Sequence, residues 1–402
     1  MMVARDARVL VCGAGPVGLV AALRLAEAGI PVTVIEAEPD ISTDLRASTW
    51  HPPTLDMLEG YDLARPLEAE GLLTPTWQVR MHNSGERAEF DLSVLKGDTR
   101  HPWRLQCEQH RLGRLIVARL AGNPNAEIRF STRLTAFERR AAGVVATVGT
   151  AGGRTEDLAA EWLIGADGAR SAVREGLGVA LEGETYPETT ILATTPFPFH
   201  EHLEGLSNVN YVWSDWGTFS LLRLPGLWRC SLYPAEGETI GQALMPAAIE
   251  AKLQRIVPKA GAYDVLEVRP YRVHQRIVSE YVHGRVVLAG DAAHLNSPSG
   301  GMGMNGGIHD AFNLTDKLIA VLRGEADEAL IALYGRQRRP VALDAILKQA
   351  DRNRARMQER DPVRRREALA GLQAIAGDPV RARDYLLKSS MIEGLRQAAE
   401  IR

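Results

Sequence analysis

Cysteine is scarce in this chain. Only three occur in 402 residues, Cys12, Cys107 and Cys230, and no two form a CxxC pair. That spacing excludes a zinc ribbon and a disulfide framework, so no metal site is expected, and it suits a reducing compartment. Long apolar runs are also lacking. No stretch is long enough to span a bilayer, and the first six residues carry no hydrophobic signal core before a strand-like run begins. The expectation is a cytoplasmic protein with no membrane partner. Charge of one sign is missing too: 47 basic and 50 acidic residues leave a formal net charge of −3, which gives no reason to expect nucleic acid as a partner. What remains is 45% hydrophobic and 24% charged, the make-up of a globular chain with room for one large or two modest domains.

Residues 7–36 read as a strand–helix–strand unit. Arg8-Val9-Leu10-Val11-Cys12 is a short buried-strand pattern, Val17 to Ala28 is helix-like, and Val32-Thr33-Val34-Ile35 is a second strand. Pro16 suits a first helical turn, and Gly29 and Pro31 suit a helix end. Between the strand and the helix lies Gly13-Ala14-Gly15-Pro16-Val17-Gly18, which fits G-x-G-x-x-G. Gly13, Gly15 and Gly18 permit a tight turn, close approach of a pyrophosphate and close helix packing, and the helix N-terminus attracts the phosphate charge. Glu36, at the end of the second strand, suits both hydroxyls of a ribose and repels a 2′-phosphate. This pattern accommodates FAD or NAD equally.

Three further stretches separate the two. Arg46-Ala47-Ser48-Thr49-Trp50-His51-Pro52-Pro53-Thr54-Leu55 follows the second strand, and a helix-like segment over 104–120 opens with Arg104-Leu105-Gln106-Cys107-Glu108-Gln109. Gly165-Ala166-Asp167-Gly168-Ala169-Arg170-Ser171-Ala172-Val173-Arg174 reads as a strand end with an Asp-Gly turn. Gly284-Arg285-Val286-Val287-Leu288-Ala289-Gly290-Asp291-Ala292-Ala293-His294 is followed by Pro298, Gly300, Gly301, Gly303, Met304 and Asn305, with a helix to about Leu322. Over roughly residues 7–345 the sequence resembles the single-component (group A) FAD-dependent aromatic hydroxylases, typified by para-hydroxybenzoate hydroxylase. The resemblance implies that Arg46 and Gln109 contact FAD, that Asp167 lies near the pyrophosphate, and that Asp291 binds the ribityl chain. It further implies that the loop with Gly301, Gly303, Met304 and Asn305 packs beside the isoalloxazine ring, where only glycine backbone approaches a flat ring edge closely. Met302 stands where the family often has glutamine.

The same resemblance implies the chemistry. NADH or NADPH reduces FAD, dioxygen adds at flavin C4a, and the resulting hydroperoxide hydroxylates a small aromatic substrate, a phenol or a heteroaromatic acid, with water kept out. Dimers are common in that family, so a homodimer is allowed. On the substrate side, residues 208–233 read as a β-meander with turns at Asp215-Trp216-Gly217 and Pro225-Gly226. Tyr211 and Trp213 share one face, and Phe219, Leu221 and Arg223 share another. Tyr211, Arg223 and Pro298 are the catalytic candidates: Arg223 suits a substrate carboxylate, and Pro298 belongs beside the flavin. His51 reads either as a phenolic proton relay or as a solvent-facing histidine, and His294 as structural.

The expected fold is α/β: a Rossmann-like FAD-binding domain (1–75, 101–180, 270–345) interrupted by a β-sheet substrate domain (76–100, 181–269), with a C-terminal helical region (346–402). That region carries Arg352, Arg354, Arg356, Arg360 and Arg364-Arg365-Arg366 among acidic residues, which reads as solvated amphipathic helices or as a docking surface. Epoxidation, Baeyer–Villiger insertion and a non-enzymatic flavin-bound module stay open as alternatives. Trp213-Ser214-Asp215-Trp216 lacks the spacing of a halogenase signature.

Overall fold

The computed structural model describes residues 7–44, 47–297 and 300–402, with backbone only at 345 and 346. It is a mixed α/β structure built on two large sheets. The first has six strands in the order Val282–His283, Val286–Leu288, Trp162–Gly165, Val9–Cys12, Val32–Ile35, Ala126–Arg129. All neighbours are parallel except the first pair. Its inner strands are buried throughout, which explains why they read as unbroken apolar runs rather than alternating ones.

Parallel strands put their carboxyl ends on one edge. Cys12 stands opposite both Gly165 and Ile35, and Gly165 stands opposite Leu288. The turns after Cys12, Gly165 and Leu288 therefore leave the sheet side by side, although they are far apart in sequence. Ligands of open α/β sheets bind at this edge.

The second sheet has eight strands, in the order His294–Leu295, Glu267–Ile277, Glu182–Thr195, Leu227–Leu232, Gly217–Leu224, Val209–Ser214, Thr76–Met81, Arg87–Asp91. Its meander over 209–232 is antiparallel as expected, with tight turns at the two predicted places. Alternation gives it two different faces. Val212, Phe219, Leu221, Trp228 and Cys230 pack on Ile249, Leu253 and Ile256 of helix Pro246–Ile256. Trp77, Val79, Phe90, Tyr211, Trp213 and Leu222 form the other face.

That other face corrects the reading of the C-terminal region. Helices Pro362–Ala376 and Pro379–Ser389 bury Leu369, Leu372, Leu386 and Leu387 against it. Tyr385 stacks on Phe90, with ring centroids 4.7 Å apart. Arg365, inside the arginine run, is buried and donates to Ser214 O at 2.5 Å. Asp98 accepts from Arg383 at 2.7 Å and Arg396 at 2.6 Å. These helices thus bury an apolar side against the sheet and turn most of their charges to solvent.

A second correction concerns 104–120. The helix is Gln109–Leu120, and Arg104–Gln106 is a strand paired with both Thr49–Trp50 and Leu72–Thr74. With an edge on each side to satisfy its backbone, this segment bonds laterally instead of beginning the helix.

Leu386→Ala should lower the unfolding free energy by about 2–5 kcal/mol, the cost of a buried leucine cavity. Denaturant titration checks this, and a solvated tail would show almost no change.

Candidate active site

Absent side chains let the three turns touch. Gly13 has φ +105°, and a Cβ there would lie 2.5 Å from Ala166 O. The first glycine turn thus rests directly on the Asp-Gly turn. A Cβ at Gly18 would meet Gly13 O at 2.0 Å. At Gly307 it would lie 2.6 Å from Val17 Cγ2 and 3.0 Å from Gly290 Cα, which seats the Gly-Asp turn and helix Gly303–Leu322 on helix Pro16–Glu27. Gly15 differs: nothing lies within 4 Å of its Cβ position. Its backbone faces open space at the N-terminus of helix Pro16–Glu27, where a phosphate fits. Arg174 clamps two of the turns, donating to Ala169 O at 2.9 Å and Ala292 O at 3.2 Å.

Side chains hold the predicted polar groups at this edge. The Glu36 carboxylate accepts from the N–H of Ala14 at 2.7 Å and of Glu38 at 2.9 Å, which fixes it beside the glycine turn. Asp167 accepts from Ser171 Oγ at 2.5 Å and Val173 N at 3.1 Å. Burial pushes its carboxyl up against these bonds. Gln109 begins its helix with its N–H on Ala47 O at 3.1 Å, next to Arg46, which lies outside the described residues. Asp291 is exposed at the edge. The Asn305 amide is fully engaged: it donates to Thr49 O at 2.8 Å and Gly301 O at 2.7 Å, and accepts from His51 N at 2.9 Å. Its side chain therefore staples the loop. Within helix Gly303–Leu322, N–H groups ahead of Gly306 have no carbonyl one turn back inside the helix.

Under the Gly-Asp turn lies a network that the motif reading missed. Asp310 is wholly buried and accepts from Gly290 N at 3.1 Å, His294 Nε2 at 2.7 Å and Arg338 Nε at 2.7 Å. Burial alone would raise this carboxyl; the charge of Arg338 and the bonds from His294 and Arg338 outweigh it and hold Asp310 below the usual carboxylate range. His294 takes the structural part expected of it. The signal is present in the sequence: Asn305, His309 and Asp310 interrupt an otherwise apolar first half of the helix.

His51 is buried, contrary to a solvent-facing reading, and its Nε2 donates to Gly300 O at 2.8 Å. Burial, aided by the nearby charge of Arg104, pushes its pKa well down, so it is neutral. It holds the glycine loop from below.

Gly300 and Tyr211 line one small, partly open cavity of about 20 Å³, together with Trp77, Val79, Arg104, Asn353, Arg356, Met357, Tyr385 and Ser389. Six elements distant in sequence meet there, including two of the C-terminal helices. Arg223 does not. It lies on the opposite face of the sheet, with its guanidinium carbon 6.0 Å from the Trp228 ring centre. The strand alternates as expected, and the cavity lies on the side of Tyr211. Pro298 lies outside the described residues. A larger open groove of about 700 Å³, lined by Arg139, Arg140, Trp162, His283 and Arg285, lies at the amino ends of the parallel strands, away from the glycine turns.

A family model described as an FAD binding domain matches residues 6–349. The chain belongs to the FAD-dependent aromatic hydroxylases. It is 36% identical over 394 residues to para-nitrophenol 4-monooxygenase of Pseudomonas sp., covering 96% of each chain. It is 32% identical over 383 residues to 6-hydroxy-3-succinoylpyridine 3-monooxygenase of Pseudomonas putida, covering 94% of this chain and 96% of that one. Among solved structures, p-nitrophenol 4-monooxygenase of Pseudomonas putida superposes with a TM-score of 0.90 at 33% identity, over 97% of this chain and 98% of that one. This hydroxylase is therefore an FAD-dependent aromatic monooxygenase, and NAD(P)H dependence is typical of its family. When bound, FAD supplies electron transfer from NAD(P)H and activation of dioxygen, and the chain supplies binding, orientation and exclusion of water.

Asp310→Asn should cost about 3–5 kcal/mol, because Arg338 is left buried without its counter-charge, and should reduce retained FAD. The carboxylate's contribution is fully present above about pH 3.9, the unfolded value, and is lost as pH falls through its lower folded pKa. Denaturant titrations of both proteins from pH 7 down into that range, with the absorbance ratio of flavin to protein, check both effects: the stability gap should be widest near neutrality and close only in strong acid.

Proposed function

We propose that this hydroxylase inserts one oxygen atom into a single-ring phenol held in the cavity between Gly300 and Tyr211. The observation that carries the reading is the sharing of that cavity. Gly300 opens the glycine loop at the flavin edge, and Tyr211 stands on the inner face of the meander. A substrate there touches both the cofactor side and the sheet. Trp77, Tyr211 and Tyr385 suit the faces and edges of a flat ring. The relatives named above act on a nitrophenol and a hydroxypyridine, rings that carry a hydroxyl.

On this reading Gly13, Gly15 and Gly18 admit the pyrophosphate, Glu36 takes the ribose, and Arg46, Gln109, Asp167 and Asp291 complete the FAD site. Gly301, Gly303, Met304 and Asn305 offer backbone N–H groups to the ring, and Pro298 stands beside it. Met357 and the aromatic side chains keep water out, since the cavity they enclose is only about 20 Å³ and a ring enters by moving them apart. We also place the enzyme in the cytoplasm, as a homodimer; the three free, buried cysteines agree with a reducing compartment, and light scattering tests the dimer.

Purified FAD-loaded enzyme should oxidise NADH or NADPH several-fold faster with a phenol present, and the product should carry one atom of ¹⁸O from labelled dioxygen as a hydroxyl on a ring carbon. Stimulation by alkenes or ketones alone would overturn the reading in favour of epoxidation or Baeyer–Villiger insertion. Asp291→Ala should lower flavin occupancy, read as the flavin-to-protein absorbance ratio; unchanged occupancy would remove Asp291 from the site.

A further inference from the structure

The cavity holds two arginines and no acid. Arg104 is 3% exposed. Its guanidinium carbon lies 5.0 Å from the centre of the Trp77 ring, and its Nε has no hydrogen-bond partner. Among the described residues, no carboxylate lies within ion-pair distance of it. Arg356, half-buried on helix Lys348–Gln358, donates to Tyr385 Oη at 3.2 Å and likewise has no carboxylate partner among the described residues. None of the ten lining residues is Asp or Glu.

Every neighbouring element adds neutral or positive groups. Tyr211 faces Arg104 from strand Val209–Ser214, Tyr385 from helix Pro379–Ser389, and neutral His51 from the start of helix Pro52–Glu59. A buried cation without an anion is expensive, because water is lost and nothing replaces it. Other buried arginines here donate to a carboxylate or a carbonyl: Arg338 to Asp310, and Arg365 and Arg174 to backbone carbonyls. Arg104 stands out from them, and it stands in the cavity.

Resting on the proposed function, we propose that Arg104, assisted by Arg356, is the specificity-determining cation that makes this cavity bind its aromatic substrate as an oxyanion. The ligand supplies the missing counter-charge. A ring bearing an ionised hydroxyl is therefore selected over its neutral form, and the anionic oxygen turns toward Arg104 while the ring packs on Trp77 and the tyrosines. An ionised hydroxyl also donates electrons to the ring, so the bound form is the one easier to oxygenate. Burial disfavours the charged form of Arg104 in the ligand-free protein, which agrees with a site completed by an anion.

The test is binding to the FAD-loaded enzyme without NAD(P)H, so that no turnover occurs. 4-Nitrophenol, its neutral methyl ether 4-nitroanisole and benzoate are titrated across a pH series, with flavin absorbance and fluorescence as the readouts. In the unaltered enzyme, nitrophenol affinity should fall as pH drops below that ligand's own pKa, and nitroanisole should bind at least about 10-fold more weakly than nitrophenolate at high pH. Arg104→Met should weaken nitrophenolate about 10- to 100-fold, the worth of a charge-assisted contact, leave nitroanisole unchanged and keep its FAD. Arg104→Lys should recover part of the loss. Equal affinity for nitrophenolate and nitroanisole in the unaltered enzyme, or tight nitrophenolate binding in Arg104→Met, would overturn the proposal, and the first comparison needs no variant to fold. Phenols that bind without regard to ionisation would sink this inference and leave the phenol reading standing. Arg104-dependent binding of benzoate with no binding of phenols would support the anion site and sink the phenol reading.

Discussion

Three turns from distant parts of the chain must occupy one edge of one sheet with nothing between them. Gly13 against Ala166 and Gly307 against Gly290 leave no space for a methyl group. Everything else about the site follows from that closeness: the phosphate-sized opening at Gly15, the seating of helix Gly303–Leu322, and the position of Glu36 at the rim. Side-chain chemistry enters only around this backbone core. The parallel order of the strands brings the turns together, and missing Cβ atoms let them stay together.

Charge is then used in two opposite ways. Beneath the Gly-Asp turn, Asp310, His294 and Arg338 are wholly buried and paired with one another. Such a network gives little net stability over an apolar core, but losing one member is severe. Its worth here is positional, since Gly290 N is one of its donors. In the cavity beside Gly300 the guanidinium of Arg104 is buried with no acid lining the space. The first arrangement fixes backbone, and the second leaves an electrostatic demand for a ligand to meet.

What can be read from the sequence is local. The glycine turns, the strands that feed them and the meander over 209–232 depend on neighbours a few residues apart, so their patterns survive in one dimension. Tyr211 and Trp213 share a face for the same reason. Arg223 shows the limit: alternation says which residues share a side, and only packing says which side meets the cavity. Arg104–Gln106 reads as helix because its lateral partners, Leu72–Thr74 on one side and Thr49–Trp50 on the other, are far away along the chain. The arginine-rich tail reads as solvated because its exposed charges outnumber its buried leucines. Asp310 is the recoverable miss, since a carboxylate in an apolar helix needs a partner.

The tail's role has a temporal side. The dinucleotide edge is complete once the chain has been made through Arg338, but Asn353, Arg356, Met357, Tyr385 and Ser389 wall the cavity. Synthesis runs from the amino end, and early segments fold first. The cofactor-binding edge therefore draws on the chain only as far as Arg338, whereas the cavity beside Gly300 is walled only when the last helices are in place.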